Sequence, residues 1–99
     1  MKQLIVNTQK QFDKIKDNFE GEIIIKDTTE CLTINKSFTN AYISVSGNVV
    51  FKSVYDNVVF KHVYGNVVFE SVSGNVVFES VSGNVVFKYV YDNVVFKHV

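Results

Sequence analysis

His62 and His98 are the two histidines of this 99-residue chain, and Cys31 is its single cysteine. Imidazole and thiolate are common metal ligands and partners in nucleophilic catalysis, so their spacing is weighed first. One cysteine excludes an intrachain disulfide and a cysteine-cluster metal site. With no histidine beside it in sequence, Cys31 is expected to be a buried structural thiol. No carboxylate or thiol stands at ligand spacing from either histidine. Asp56 and Asp92 occupy a place that Gly takes in other copies of a short repeat. Ser71, Ser73, Ser80 and Ser82 recur only because that repeat recurs. The expectation is a chain that is not an enzyme and carries no cofactor.

The elements that carry these residues follow from a nine-residue period. Asn48, Asn57, Asn66, Asn75, Asn84 and Asn93 are evenly spaced, and each is followed by Val-Val-Phe, a charged residue, a variable residue and Val. The stretch "GNVVFESVSGNVVFESVSG" holds the same nine residues twice. A short fixed period is the mark of a solenoid. Val, Phe and Tyr dominate each unit, proline is absent, and D-N or G-N punctuates it, which reads as strand and turn. "AYISVSG" (Ala41–Gly47) is a degenerate copy, and the apolar triplets at 32–34 and 23–25 extend the pattern backwards. The predicted fold is mostly β, a parallel β-solenoid of nine-residue repeats. It spans residues 23–99 behind an N-terminal strand and capping α-helix over 1–22.

The charged position decides how many units make one coil. In order it reads Lys52, Lys61, Glu70, Glu79, Lys88, Lys97. One unit per coil would stack Lys52 under Lys61, and three would stack Lys61 under Lys88. Two per coil give Lys52–Glu70–Lys88 on one face and Lys61–Glu79–Lys97 on the other, with every neighbour of opposite sign. At the strand spacing of roughly 4.8 Å such pairs matter chiefly for register, since each exposed pair contributes only ~0.2–1 kcal/mol. Two units per coil is therefore predicted, with Asn ladders at the turns and Phe and Val ladders in a thin core. His62 and His98 then share a face two coils apart, about 10 Å, with Ser80 between them.

Phe and the first Val of each pair are expected inside. The second Val would lie outside with the Lys/Glu row, leaving either a contact surface or the trace of a bulge. In the early coils Leu32, Ile34, Ala41, Ile43 and Val45 form the inward set, so a register change is expected near Ser46–Val50. At the N-terminus, Thr8 and Gln11 form a capping box, and Phe12, Ile15 and Phe19 follow at helical spacing. This predicts an amphipathic helix over about 9–19, covering one end of the solenoid. The other end, Asn93, Val94, Val95, Phe96, Lys97, His98 and Val99, is a full-strength β segment. Such an edge invites pairing with another chain, so a homodimer through the C-terminal coil is expected.

Ten basic and ten acidic residues give zero net charge, and every basic residue is Lys. A nucleic-acid binder would show a basic excess and Arg, so direct nucleic-acid binding is not expected. No segment is apolar for the ~20 residues of a membrane span, and no signal-peptide core is present. A soluble, cytoplasmic protein with a protein partner is the expectation. Exposed tyrosines beside charged residues are frequent contact residues. The partner-binding candidates are Lys52, Tyr55, Lys61, His62, Tyr64, Glu70, Glu79, Lys88, Tyr89 and Tyr91.

The period is similar to that of calcium-binding repeats-in-toxin β-rolls, which also set two nine-residue units in each coil. Their G-G-x-G-x-D-x-hydrophobic-x motif is missing here, where the turn is only [DG]-N, so calcium binding is not carried over. The compact units "VYGN" (Val63–Asn66) and "VSGN" (Val72–Asn75, Val81–Asn84) resemble those of small repeat proteins encoded by phages and mobile elements of low-GC bacteria. That resemblance covers most of residues 41–99, and a composition rich in Lys, Asn and Ile agrees with it. It implies a non-enzymatic inhibitor of a host defence effector, of the anti-CRISPR type, acting on a host nucleoprotein from the host cytoplasm. The competing class is a self-assembling structural module, a filament or fibre segment.

Overall fold

The computed structural model describes residues 2–16, 18–28, 30–38, 40–55, 57–91 and 93–98. Its elements run β1 (Lys2–Val6), α1 (Gln9–Asp13), β2 (Glu20–Lys26), β3 (Cys31–Ile34), β4 (Asn40–Ser46), β5 (Asn48–Val54), β6 (Asn57–Val63), β7 (Asn66–Val72), β8 (Asn75–Val81), β9 (Asn84–Val90) and β10 (Val94–His98). Two parallel sheets result. The first has the order β1-β2-β4-β6-β8-β10, the second β3-β5-β7-β9. From β2 onward successive strands alternate between sheets, so each coil contributes one strand to each: a parallel β-solenoid. Asn48 pairs with Asn66 and Asn57 with Asn75. That offset is two repeats, so two units make one coil.

Aromatic stacking shows why the repeat is so literal. Phe51, Phe69 and Phe87 of the second sheet stack with nearly parallel rings, centroids 4.7 and 5.0 Å apart. Phe60, Phe78 and Phe96 do the same in the first sheet at 5.0 and 5.1 Å. Between the sheets the rings meet edge-on, as Phe60 does with Phe69 at 5.4 Å and 81°. Each ring therefore has stacked neighbours along the axis and edge contacts across it, each pair worth about 0.5–1.5 kcal/mol beyond burial. A different residue in any unit would break two columns at once. At the turns, Asn66 donates its side-chain amide to Asn48 and Asn84 to Asn66. Asn93 donates likewise to Asn75.

Residues 2, 4 and 7 of each repeat strand from β5 to β8 point inward, as Val67, Phe69 and Val72 do. Strict alternation cannot produce that set, because positions 4 and 7 differ by three. The intervening charged residue takes up the difference as a bulge. Leu32 and Thr33 pair with Phe51 and Ser53, skipping Lys52. Ile43 and Ser44 pair with Phe60 and His62, skipping Lys61. The register change expected at Ser46–Val50 therefore sits slightly later, inside β5 and β6, where the alternating early coils meet the bulged repeats. The second Val is half-buried at 50, 59, 68 and 77 and becomes exposed only in the last coil.

The N-terminal cap is shorter than expected. Thr8 Oγ1 accepts the Gln11 amide, and Gln11 Oε1 accepts the amide of Asn7. The α-helix nevertheless ends at Asp13. Beyond it the chain makes four-residue turns, with Ile15 N–H donating to Phe12 O and Phe19 N–H to Lys16 O. These turns bring Phe12, Ile15 and Phe19 onto the core as a helix would. Lys36 donates to the freed carbonyls of Asp13 and Ile15. Gln9 seals the edge of β3: its side-chain amide donates to Thr33 O and accepts Thr33 N–H, imitating a neighbouring strand. α1 packs against both β1 and β3, but its side-chain bonds seal only the edge of the second sheet. β1 extends the first sheet by another rung, pairing with β2 from Lys2 to Val6.

Candidate interaction face

The ten candidate residues do not form one patch. Alternation of strands sends Lys52, Glu70, Lys88 and Tyr89 to the outer face of the second sheet, and Lys61, His62 and Glu79 to that of the first. Tyr55 and Tyr91 lie two coils apart at the corner leading from the second sheet to the first, with Ser73 between them, while Tyr64 lies at the opposite corner. All four tyrosines from 55 to 91 are well exposed, from 41% at Tyr55 to 62% at Tyr89. His62 and the backbone of His98 flank Ser80 in register. Among the described residues no group of three His, Cys, Asp or Glu side chains is gathered as a metal site. No described helix is long and apolar enough to cross a membrane. Cys31 is exposed rather than buried, because Leu32 and Ile34 take the inward positions of β3.

The outer face of the first sheet is the more structured of the two. Ser44 is buried and donates its hydroxyl proton to Glu22 Oε2, whose Oε1 accepts the Gln3 amide at 2.9 Å. Glu22 is thus held from two sides. His62 pairs in register with Ser44, and together with Tyr64 these residues line a recess of about 120 Å³. Beside it, Lys61 Nζ lies 4.6 Å from the centre of the Tyr42 ring, a cation–π contact. Tyr42, Val59, Lys61 and Glu79 line a second recess of about 280 Å³. Lys61 is therefore engaged with an aromatic face, not closed onto Glu79.

Glu22, Tyr42 and Ser44 were not among the residues singled out by sequence. They belong to coils of a different length, where Ile25 pairs with Val45 across twenty positions instead of eighteen. Only the inter-coil register brings them under His62 and Lys61. The C-terminal residues form β10, paired to β8 on one side. Val95 and Phe96 are exposed there, at 48% and 38%, together with Val86 and Val90 of the same coil. Val99 lies outside the described residues. No protein-family model, curated protein or solved structure matches this chain.

Proposed function

We propose that this chain is a non-enzymatic binding protein that docks the outer face of its first sheet, around Tyr42, Lys61, His62, Tyr64 and Glu79, on a macromolecular partner. The observation that carries this reading is the preorganisation of that face. Its side chains ride on a solenoid whose Phe, Val and Asn ladders leave little freedom, and Glu22, Ser44, Tyr42 and Lys61 are fixed by contacts of their own. A surface already held in its bound form loses little entropy on association. The partner is a protein. The likeness of the repeats to phage and mobile-element proteins favours a host nucleoprotein effector of defence, blocked in the host cytoplasm. An all-Lys, net-neutral chain is poorly suited to compete for the nucleic acid itself.

The test is phage plating on a host that carries a defence system and expresses the chain. Restored plating supports the inhibitor reading, and unchanged plating across representative defence types overturns it. A second reading rests on a different observation. β9 and β10 end their sheets with Val86, Val90, Val95 and Phe96 exposed, so a second copy can close that coil as a homodimer, or copies can stack as a structural assembly. Light scattering across roughly a hundredfold concentration range separates these, because assembly is governed by protomer concentration. A constant dimer mass fits the inhibitor, and a mass that climbs fits the assembly.

A further inference from the structure

We propose that the groove beside β1, at the N-terminal end of the solenoid, binds an extended acidic–apolar segment of a partner protein by strand addition to β1. Three observations meet there. β1 is the terminal strand of the first sheet, and the Gln9 side chain that seals β3 does not reach it, so one row of its backbone groups faces no strand. Such an edge is a template for an added strand. The groove beside it, about 600 Å³, has an apolar floor of Leu4, Ile15 and Phe19. Leu4 shares the register of the buried Ile23 yet remains 36% exposed, so the topmost layer of the core is incompletely covered.

The rim identifies the occupant. Lys2, Lys14 and Lys16 line the groove against Glu20 alone, a local charge of +2 in a chain whose total is zero. An apolar residue seated over Leu4 with carboxylates on either side satisfies floor and rim together, whereas a basic segment meets repulsion at three lysines. A second recess of about 320 Å³, sharing Leu4, Lys14 and Ile15, continues the groove along β1, which suits an extended segment more than a compact ligand.

The probe is a fluorescein-labelled peptide Glu-Asp-Val-Ile-Val-Asp-Glu, with a control in which every acid is lysine. Fluorescence anisotropy should show saturable binding of the acidic peptide only. Lys14→Glu combined with Lys16→Glu, both exposed, should weaken it by about tenfold or more, and added salt should do likewise. Hydrogen exchange on the wild-type chain supplies a readout independent of any variant: peptide should slow exchange of β1 amides. Absence of binding, equal binding of the lysine control, or binding without β1 protection would overturn the proposal. So would a dimer held through β1 that excludes the peptide.

Discussion

Gly65 lies over Gly47 of the preceding coil, so close that a Cβ on Gly65 would stand 2.7 Å from both the nitrogen and the carbonyl oxygen of Gly47. Gly83 repeats the relationship over Gly65 at 2.8 Å. The contact is tight because Asn66 donates its backbone N–H to Gly47 O and Asn84 to Gly65 O, both at 2.9 Å, drawing consecutive turns together. Gly65 also has φ of +102°, where side chains are strained. This corner is Gly at 47, 65 and 83, while the corresponding repeat position in the alternate units reads Asp, Gly and Asp in the sequence at 56, 74 and 92.

Gly65→Ala is therefore expected to destabilise by about 2–4 kcal/mol, combining backbone strain with a clash against backbone that cannot swing aside. Gly74→Asp is also at positive φ (+90°), but aspartate tolerates the left-handed region better than alanine, and the repeat carries aspartate at that place at 56 and 92, so it should cost less. Thermal melts of the two variants check the difference, and equal losses would show that the corners are equivalent.

Phe69 touches four other rings: Phe51 and Phe87 stacked, Phe60 and Phe78 edge-on. Phe69→Ala should cost about 3–5 kcal/mol, as for a fully buried aromatic. Phe96→Ala, at a ring 38% exposed, should cost markedly less. Urea titration of both gives the ranking. A larger loss at Phe96 would mean that the last coil is buried in solution, as a C-terminal dimer requires.

Gln9→Ala removes both side-chain bonds to Thr33 and leaves the edge of β3 open. A loss of about 1–3 kcal/mol is expected. Hydrogen exchange should show faster exchange at Thr33 while β7 and β8 keep their protection. Uniform acceleration would indicate a role in global folding instead.

Glu70→Lys with Glu79→Lys turns both charged columns into three lysines. These groups sit on bulges at the surface, and among the described residues none closes an ion pair across the column, so the alternation acts on register more than on stability. We expect about 1 kcal/mol of destabilisation at low salt, relieved as salt screens the repulsion. An identical melting curve at low salt would show that aromatic and Asn ladders alone set the register.

Much of this architecture was legible in the sequence because a ladder is a sequence property. Asn, Val and Phe must recur at one period, and the signs at positions 52 to 97 admit only two units per coil. The Thr8 cap was legible too, but the helix length was not, since apolar spacing at Phe12, Ile15 and Phe19 is met equally by successive tight turns. The candidate interaction face was harder to read. Neighbouring repeats lie on opposite sheets, so candidates adjacent in sequence, such as Lys52 and Lys61, point away from each other. The Glu22–Ser44 contact depends on the longer early coils, whose register no repeat announces.

The central claim is that one sheet face carries the binding. Its most direct test compares Lys61→Glu with His62→Glu on that face against Lys88→Glu with Tyr89→Ala on the other, each in the phage-plating assay, with folding checked by thermal melt. The account predicts that the first pair lowers restored plating by about tenfold or more and the second leaves it near wild type, as expected when a few central residues dominate an interface. Loss of activity in the second pair with the first intact would contradict it.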